Sequence, residues 1–262
     1  MKDESAALDC IWIDGRVGGG IPGDDPGILL GLTVFETLRT YGAVPFRLAA
    51  HLDRLHASAL ALDIALPPRA QIEGEILAAC ADDVYLRYTL TAGGHRILQR
   101  KSIDASGVGR TMRVARMPWE NPASLPGAVK HGCRAAWILA ARQHGVDEVL
   151  LVDPQDQILE ANRSSVVAVV DGVLCTPPLD GRQLAGVTRE ALLDAGRLVG
   201  LTIRECSISS RAAFDELYLA STLKELSPVV EIDGVPGPGP GPLGEHLHAA
   251  FRELVDRETN GA

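Results

Sequence analysis

The sequence predicts a two-domain fold, a small N-terminal α+β domain followed by a larger domain of mixed α/β character. Three observations lead there. Helical and strand-like hydrophobic periods alternate through both halves of the chain. A stretch punctuated by Pro118, Pro122 and Pro126 interrupts them. The 262 residues are enough for two modest cores. The expected division is a first domain at 1–117, a linker at 118–126 and a second domain at 127–262.

Taken in order, residues 10–13 read as a short strand that turns back at Asp14-Gly15, and a Gly/Pro/Asp-rich loop runs to Gly27. Residues 32–41 alternate and are rich in β-formers, so they read as a strand turned by Gly42. Leu48, Leu52, Leu55, Ala59 and Leu62 recur at helical spacing, and a weaker helix spans 69–81. A strand at 84–92 ends at Gly93-Gly94, Lys101 falls beside Arg100 in what reads as a polar loop, and 111–117 is a further strand. Beyond the linker a helix is expected over 134–144 and a buried strand over 148–152. Residues 165–170 and 173–176 form a hairpin around Asp171-Gly172. Strands follow at 201–206, 216–222 and 229–234, then a low-complexity Pro/Gly loop at 235–242 and a last helix.

Bulk properties exclude several classes of function. A composition of 46% hydrophobic and 23% charged residues is that of a soluble globular chain. The net charge of −9 disfavours nucleic acid and anionic membrane surfaces as partners. No apolar run reaches spanning length, and residues 1–5 lack the apolar core of a signal peptide. The five cysteines show no metal-ligand or redox spacing, which reads as reduced thiols in the cytoplasm.

Chemistry concentrates at a few positions. A loop stiffened by Pro177 and Pro178 passes Leu184 to Gly186, where a helix pattern starts with Thr188 as N-cap and Glu190 in the first turn. Such a turn is either a plain helix start or an anion site for phosphate. Of four lysines, Lys2 is near the N-terminus and Lys101 in a polar stretch, while Lys130 ends an apolar run after the linker. Lys130 is either a surface lysine before a helix or a desolvated amine suited to Schiff-base and general-base work. Glu160, beside a Ser/Asn cluster, can cap a turn or pair with a heterocyclic nitrogen. Arg54 shares a helix face with His51, and is either a surface partner of Asp53 or a phosphate clamp. Thr222, after Ala220-Ser221, could add a hydroxyl and a backbone N–H to the same phosphate.

The order and spacing of Ile13-Asp-Gly, Val34-Phe-Glu-Thr-Leu-Arg, His51-Leu-Asp-Arg-Leu, Lys130, Glu160, Leu184-Ala-Gly-Val-Thr-Arg, Asp215-Glu-Leu, Ser221-Thr and Pro228-Val resembles the class IV aminotransferases. These are fold-type IV, pyridoxal 5′-phosphate-dependent enzymes that include branched-chain and D-amino-acid aminotransferases and 4-amino-4-deoxychorismate lyases. The resemblance implies that Lys130 holds the cofactor and moves the Cα proton, and that Glu160 keeps the pyridine nitrogen protonated. It implies that Arg54, the Val187-Thr188 helix start and Thr222 hold the phosphate, with Leu184 on the ring. On the substrate side it implies Phe35, Arg39 and Arg87, the last in place of the arginine that other subgroups carry where Ala92 stands. Lys130-His131 with Arg134 is closer to the lyases, and Arg163 and Ser165 depart from the family's usual residues after the glutamate. The implied reaction is transfer of an amino group between an amino acid (branched-chain or D-) and a 2-oxo acid in a homodimer. The alternatives are the lyase reaction and a non-catalytic cofactor-binding protein.

Overall fold

The structure, a computed structural model, describes residues 9–260. It divides into two compact units. The first holds the described residues up to Ile103, the segment Val129–Cys133 and the chain end from Glu258. The second holds Asp104–Ala128 and Arg134–Arg257. Lys2 lies outside the described residues.

The first unit is built on a six-stranded sheet of β1 (Cys10–Ile13), β2 (Arg16–Val17), β3 (Thr33–Tyr41), β4 (Val44–Pro45), β5 (Val84–Thr91) and β6 (Arg96–Ser102), in the order β2-β1-β6-β5-β3-β4. Every pairing in it is antiparallel. The period-two pattern puts Val34 and Leu38 of β3 opposite Leu90 and Leu86 of β5 on one face. Onto that face α2 (Leu48–Ala61) and α3 (Arg69–Ala79) lay Leu52, Leu55, Ala59, Ile72 and Ile76 in one core. Each of the leucine and isoleucine side chains contributes about 1.5–3 kcal/mol on burial. A short α1 (Pro26–Leu29) sits within the expected loop, capped by the Asp25 carboxylate on the Gly27 amide at 2.6 Å. Lys101 is in β6, not in a loop.

The second unit carries a nine-stranded sheet. Its strands are β7 (Met112–Pro118), β8 (Glu148–Val152), β9 (Ile158–Ala161), β10 (Ser165–Val170), β11 (Val173–Thr176), β12 (Arg204–Glu205), β13 (Phe214–Ser221), β14 (Glu225–Ile232) and β15 (Val235–Pro236). The order is β12-β11-β10-β13-β14-β7-β8-β9, with β15 on β14. All five residues of β8 are buried because both faces are covered. Val149 and Leu151 meet Trp137 and Ala140 of α4 (Ala135–His144), while Leu150 and Val152 join Met112, Val166 and Leu217 on the other side. Its other α-helices are α5 (Val187–Leu198) and α6 (Pro242–Asn260), the latter up to Arg257.

Two further expectations differ from these elements. The strand expected at the end of the first domain is β7, which pairs in parallel with β8 and β14 inside the second sheet. The compact units therefore part after Ile103 rather than at 117/118, and Val129–Cys133 falls with the first unit. The strand expected at 201–206 is reduced to the two residues of β12.

Candidate active site

The predicted residues fall into two sets, one in each unit. In the first unit, Glu36 shares the parity of Val34 and Leu38 and so enters the apolar face of β3 with 1% exposure. A carboxylate there demands partners. They come from one face of α2: Arg54 donates from Nε to Glu36 Oε1 and from Nη2 to Oε2, each at 2.7 Å, and His51 Nδ1 donates to Oε2 at 2.7 Å. Burial opposes ionisation of Glu36, but the Arg54 guanidinium, its hydrogen bonds and His51 outweigh it and hold the carboxyl well below the usual range. Burial also pushes the His51 imidazolium pKa down despite Glu36, with the charges of Arg54 and Lys130 adding to that. Arg54 is thus a fork braced by buried Glu36 rather than a surface partner of Asp53, which pairs with Arg69 instead.

Lys130 lies on an extended segment laid along β3. Its carbonyl accepts from the Phe35 amide at 3.1 Å, its own amide donates to Ser58 Oγ at 3.0 Å, and His131 bridges Val34. The Lys130 Nζ stands 4.9 Å from the centroid of the Phe35 ring. Arg87 Cζ stands 3.5 Å from the centroid of the same ring. Both are possible because Phe35, Thr37 and Arg39 project from the face opposite Glu36, and Arg87 pairs with Thr37 in register. Arg87 is half-buried, and among the described residues no carboxylate pairs with it. Burial lowers its pKa, with Tyr85 opposing. Arg39 is buried, its Cζ 4.4 Å from the centre of the Tyr41 ring.

In the second unit, Glu160 stands near the end of β9 and accepts the Leu184 amide on Oε2 at 3.3 Å. Gly186 is the N-cap of α5 and supplies no side-chain cap, so Val187 and Thr188 are the first helical residues. Thr188 is therefore inside the first turn rather than the N-cap, and the leading N–H groups of α5 are left for another acceptor. A Cβ at Gly186 would meet Ser165 Oγ at 2.5 Å, so any other residue there would have to displace that hydroxyl. Arg189, 5% exposed, donates from Nη2 to the Pro177 carbonyl at 3.0 Å and to Glu205 Oε2 at 2.6 Å, which holds the 177–186 loop. Glu160, Ser165, Thr176, Pro177, Leu184 and Arg189 line a narrow cleft. Thr222 is half-buried in the 222–224 turn between β13 and β14, which the Lys224 amide closes on the Ser221 carbonyl at 3.2 Å.

Ser58 escaped the sequence reading, and Glu36, Ser165 and Arg189, though they fall in stretches quoted there, were given no role. The one available signal was Glu36, an acid at a core position of a strand, with a histidine and an arginine three apart on the next helix.

Residues 33–232 match the family model of class IV amino-transferases. The branched-chain-amino-acid aminotransferase of Escherichia coli K12 is 30% identical over 269 aligned positions, covering 87% of this chain and 86% of that enzyme. The D-alanine aminotransferase of Listeria monocytogenes 10403S is 27% identical over 268, covering 89% and 90%. Among solved structures, the branched-chain aminotransferase of Thermoproteus uzoniensis with norvaline has a TM-score of 0.84 at 23% identity, covering 96% of each chain. The PLP-bound form of a hypothetical aminotransferase from Mycobacterium tuberculosis has 0.82 at 23% identity, covering 95% of this chain and 99% of that one. These likenesses support the fold-type IV architecture, and the aminotransferase relatives favour amino-group transfer over the lyase alternative and over a non-catalytic binding protein. The chain belongs to the class IV aminotransferases and is a pyridoxal-phosphate-dependent enzyme of amino-group transfer.

Proposed function

We propose that the enzyme moves the amino group of a branched-chain L-amino acid to a 2-oxo acid, and that the residues of these sets serve pyridoxal phosphate. The residues present suit that group. It carries an aldehyde for an amine, a pyridine nitrogen for a carboxylate, and a phosphate for a guanidinium and an uncapped helix start. Lys130 would hold the aldehyde carbon through Nζ, and Glu160 would keep a proton on the ring nitrogen. Arg54, the amides of Val187 and Thr188, and Thr222 would hold the phosphate, with Leu184 against the ring. When bound, the cofactor supplies an electron sink for the bond broken at Cα. Lys130 would then accept the Cα proton on its amine and deliver it to the cofactor's aldehyde carbon, on the other side of the substrate nitrogen.

The observation that carries the substrate reading is the shared ring: Lys130 Nζ and Arg87 Cζ lie 4.9 and 3.5 Å from the centre of Phe35. An amino acid whose carboxylate is paired by Arg87 would be held beside the same aromatic ring as the Lys130 amine. Branched-chain donors are supported by the resemblance of Arg87, in β5, to an arginine of the branched-chain enzymes, and by the 30–31% identical relatives named for those substrates. The test is a panel of amino donors in a single half-reaction, read by conversion of the cofactor to its amine form. L-leucine, L-isoleucine and L-valine should convert it and D-alanine should not; the reverse order would overturn the donor assignment.

A homodimer is supported by the run Ile28, Leu29 and Leu30, exposed by 57, 65 and 73%, and light scattering should give twice the chain mass. A cytoplasmic location is supported by five free cysteines. Among the described residues no helix is long and apolar enough to cross a membrane.

A further inference from the structure

Glu148, the first residue of β8, has 0% exposure, and its carboxylate joins two turns. One is the turn directly after Glu160, closed by the Ala161 amide on the Ser164 carbonyl at 2.8 Å. There Ser164 Oγ donates to Glu148 Oε1 at 3.0 Å and the Arg163 amide donates to Oε2 at 3.2 Å. The other is the 222–224 turn, from which Lys224 Nζ donates to the same Oε1. The far side of that second turn is braced as well. The Lys224 carbonyl accepts the Gly109 amide at 3.1 Å. Glu225 takes a left-handed φ of 57°, an unusual choice for a residue with a Cβ, and its buried carboxylate meets His248 Nε2 at 2.8 Å and Arg252 Nε at 3.0 Å.

We propose that the Glu148–Lys224 pair is a positioning device for the cofactor phosphate, fixing the Thr222 turn relative to the turn that follows Glu160. This rests on the reading of Thr222 and Glu160 as cofactor contacts. A buried ion pair contributes little net stability compared with an apolar pair of the same shape. Its hydrogen-bond geometry, however, leaves the two turns one arrangement, and so fixes how far the Thr222 hydroxyl and amide stand from Glu160. Lys224 is a positioning residue in this account and touches neither cofactor nor substrate.

The test measures apo-protein affinity for pyridoxal phosphate and for pyridoxal, which lacks the phosphate, and takes their ratio. In Lys224→Met that ratio should fall about tenfold, the size of one misplaced hydrogen bond, while pyridoxal binds as in the wild type. Lys224→Arg should restore most of it. Where the single variant folds poorly, Glu148→Gln/Lys224→Met removes both charges, and it should regain the melting temperature without regaining the ratio. Thr222→Ala is the control. If it lowers the ratio and the Lys224 variants do not, the positioning role is wrong and the phosphate reading stands. If Thr222→Ala leaves the ratio unchanged, the phosphate reading itself fails.

Discussion

At the scale of residues, the site depends on charges placed where water does not balance them. Replacing Glu36 by Gln leaves the Arg54 fork without its anion, so folding should weaken by about 3 kcal/mol, and pyridoxal phosphate should bind about tenfold more weakly. Chemical denaturation and cofactor titration check the two effects, and an unchanged affinity would mean that Glu36 does not hold Arg54 for the ligand. His51 adds a pH dependence. Its native pKa is depressed, so on acidification the unfolded chain takes up this proton before the folded one does. Stability from neutral His51 is complete above the ordinary histidine pKa and is lost as pH falls through it toward the native value. Glu36 shifts downward too, so its contribution is complete above the ordinary carboxylate pKa and is lost as pH falls from there toward the lower native value. The melting temperature should therefore drop more steeply between about pH 7 and 5 in the wild type than in His51→Gln; parallel curves would contradict this. Arg87→Met should raise the KM for the amino donor at least about tenfold through loss of a charge-assisted pair.

At the scale of elements, the start of α5 shows how tightly local geometry is set. Gly186→Ala would drive a Cβ to 2.5 Å from Ser165 Oγ, and overpacking of that kind costs about 1–3 kcal/mol. The loss should appear in thermal melts and shrink in a Ser165→Ala background; an equal loss in both would exclude the clash. The glycine, the prolines before it and the apolar helix face were legible in the sequence because each is a local signal. The cap was not: Thr188 has cap chemistry, yet the helix begins at Val187 because Gly186 already takes the extended cap conformation. Strand β6 was hidden because Arg100 occupies a core-facing position, 7% exposed, with Nη1 on the Ala79 carbonyl at 3.3 Å and its Cζ 5.2 Å from the centre of the Trp12 ring. A buried arginine breaks the alternation by which a strand is recognised. Glu36 and Glu148 were hidden for another reason, since their partners are brought to them by strand pairing and helix packing and not by neighbours in sequence. Lys130 was singled out by family resemblance, whereas its place beside Phe35 and Ser58 was not legible.

At the scale of the whole molecule, each compact unit has its own sheet and core, and each carries part of the residue set assigned to the cofactor. Because ligand binding stabilises whatever state binds it, saturating pyridoxal phosphate should raise the melting temperature of the wild type. The increment should be reduced both by Arg54→Ala in the first unit and by Thr222→Ala in the second; a response to only one would confine the cofactor to that unit's residues. The most direct measurement is borohydride reduction of the cofactor-loaded enzyme followed by peptide mass mapping. The account predicts one pyridoxyl-phosphate adduct, on Lys130, and none in Lys130→Ala. An adduct on Lys101 or Lys224, or no stable adduct at all, would contradict it.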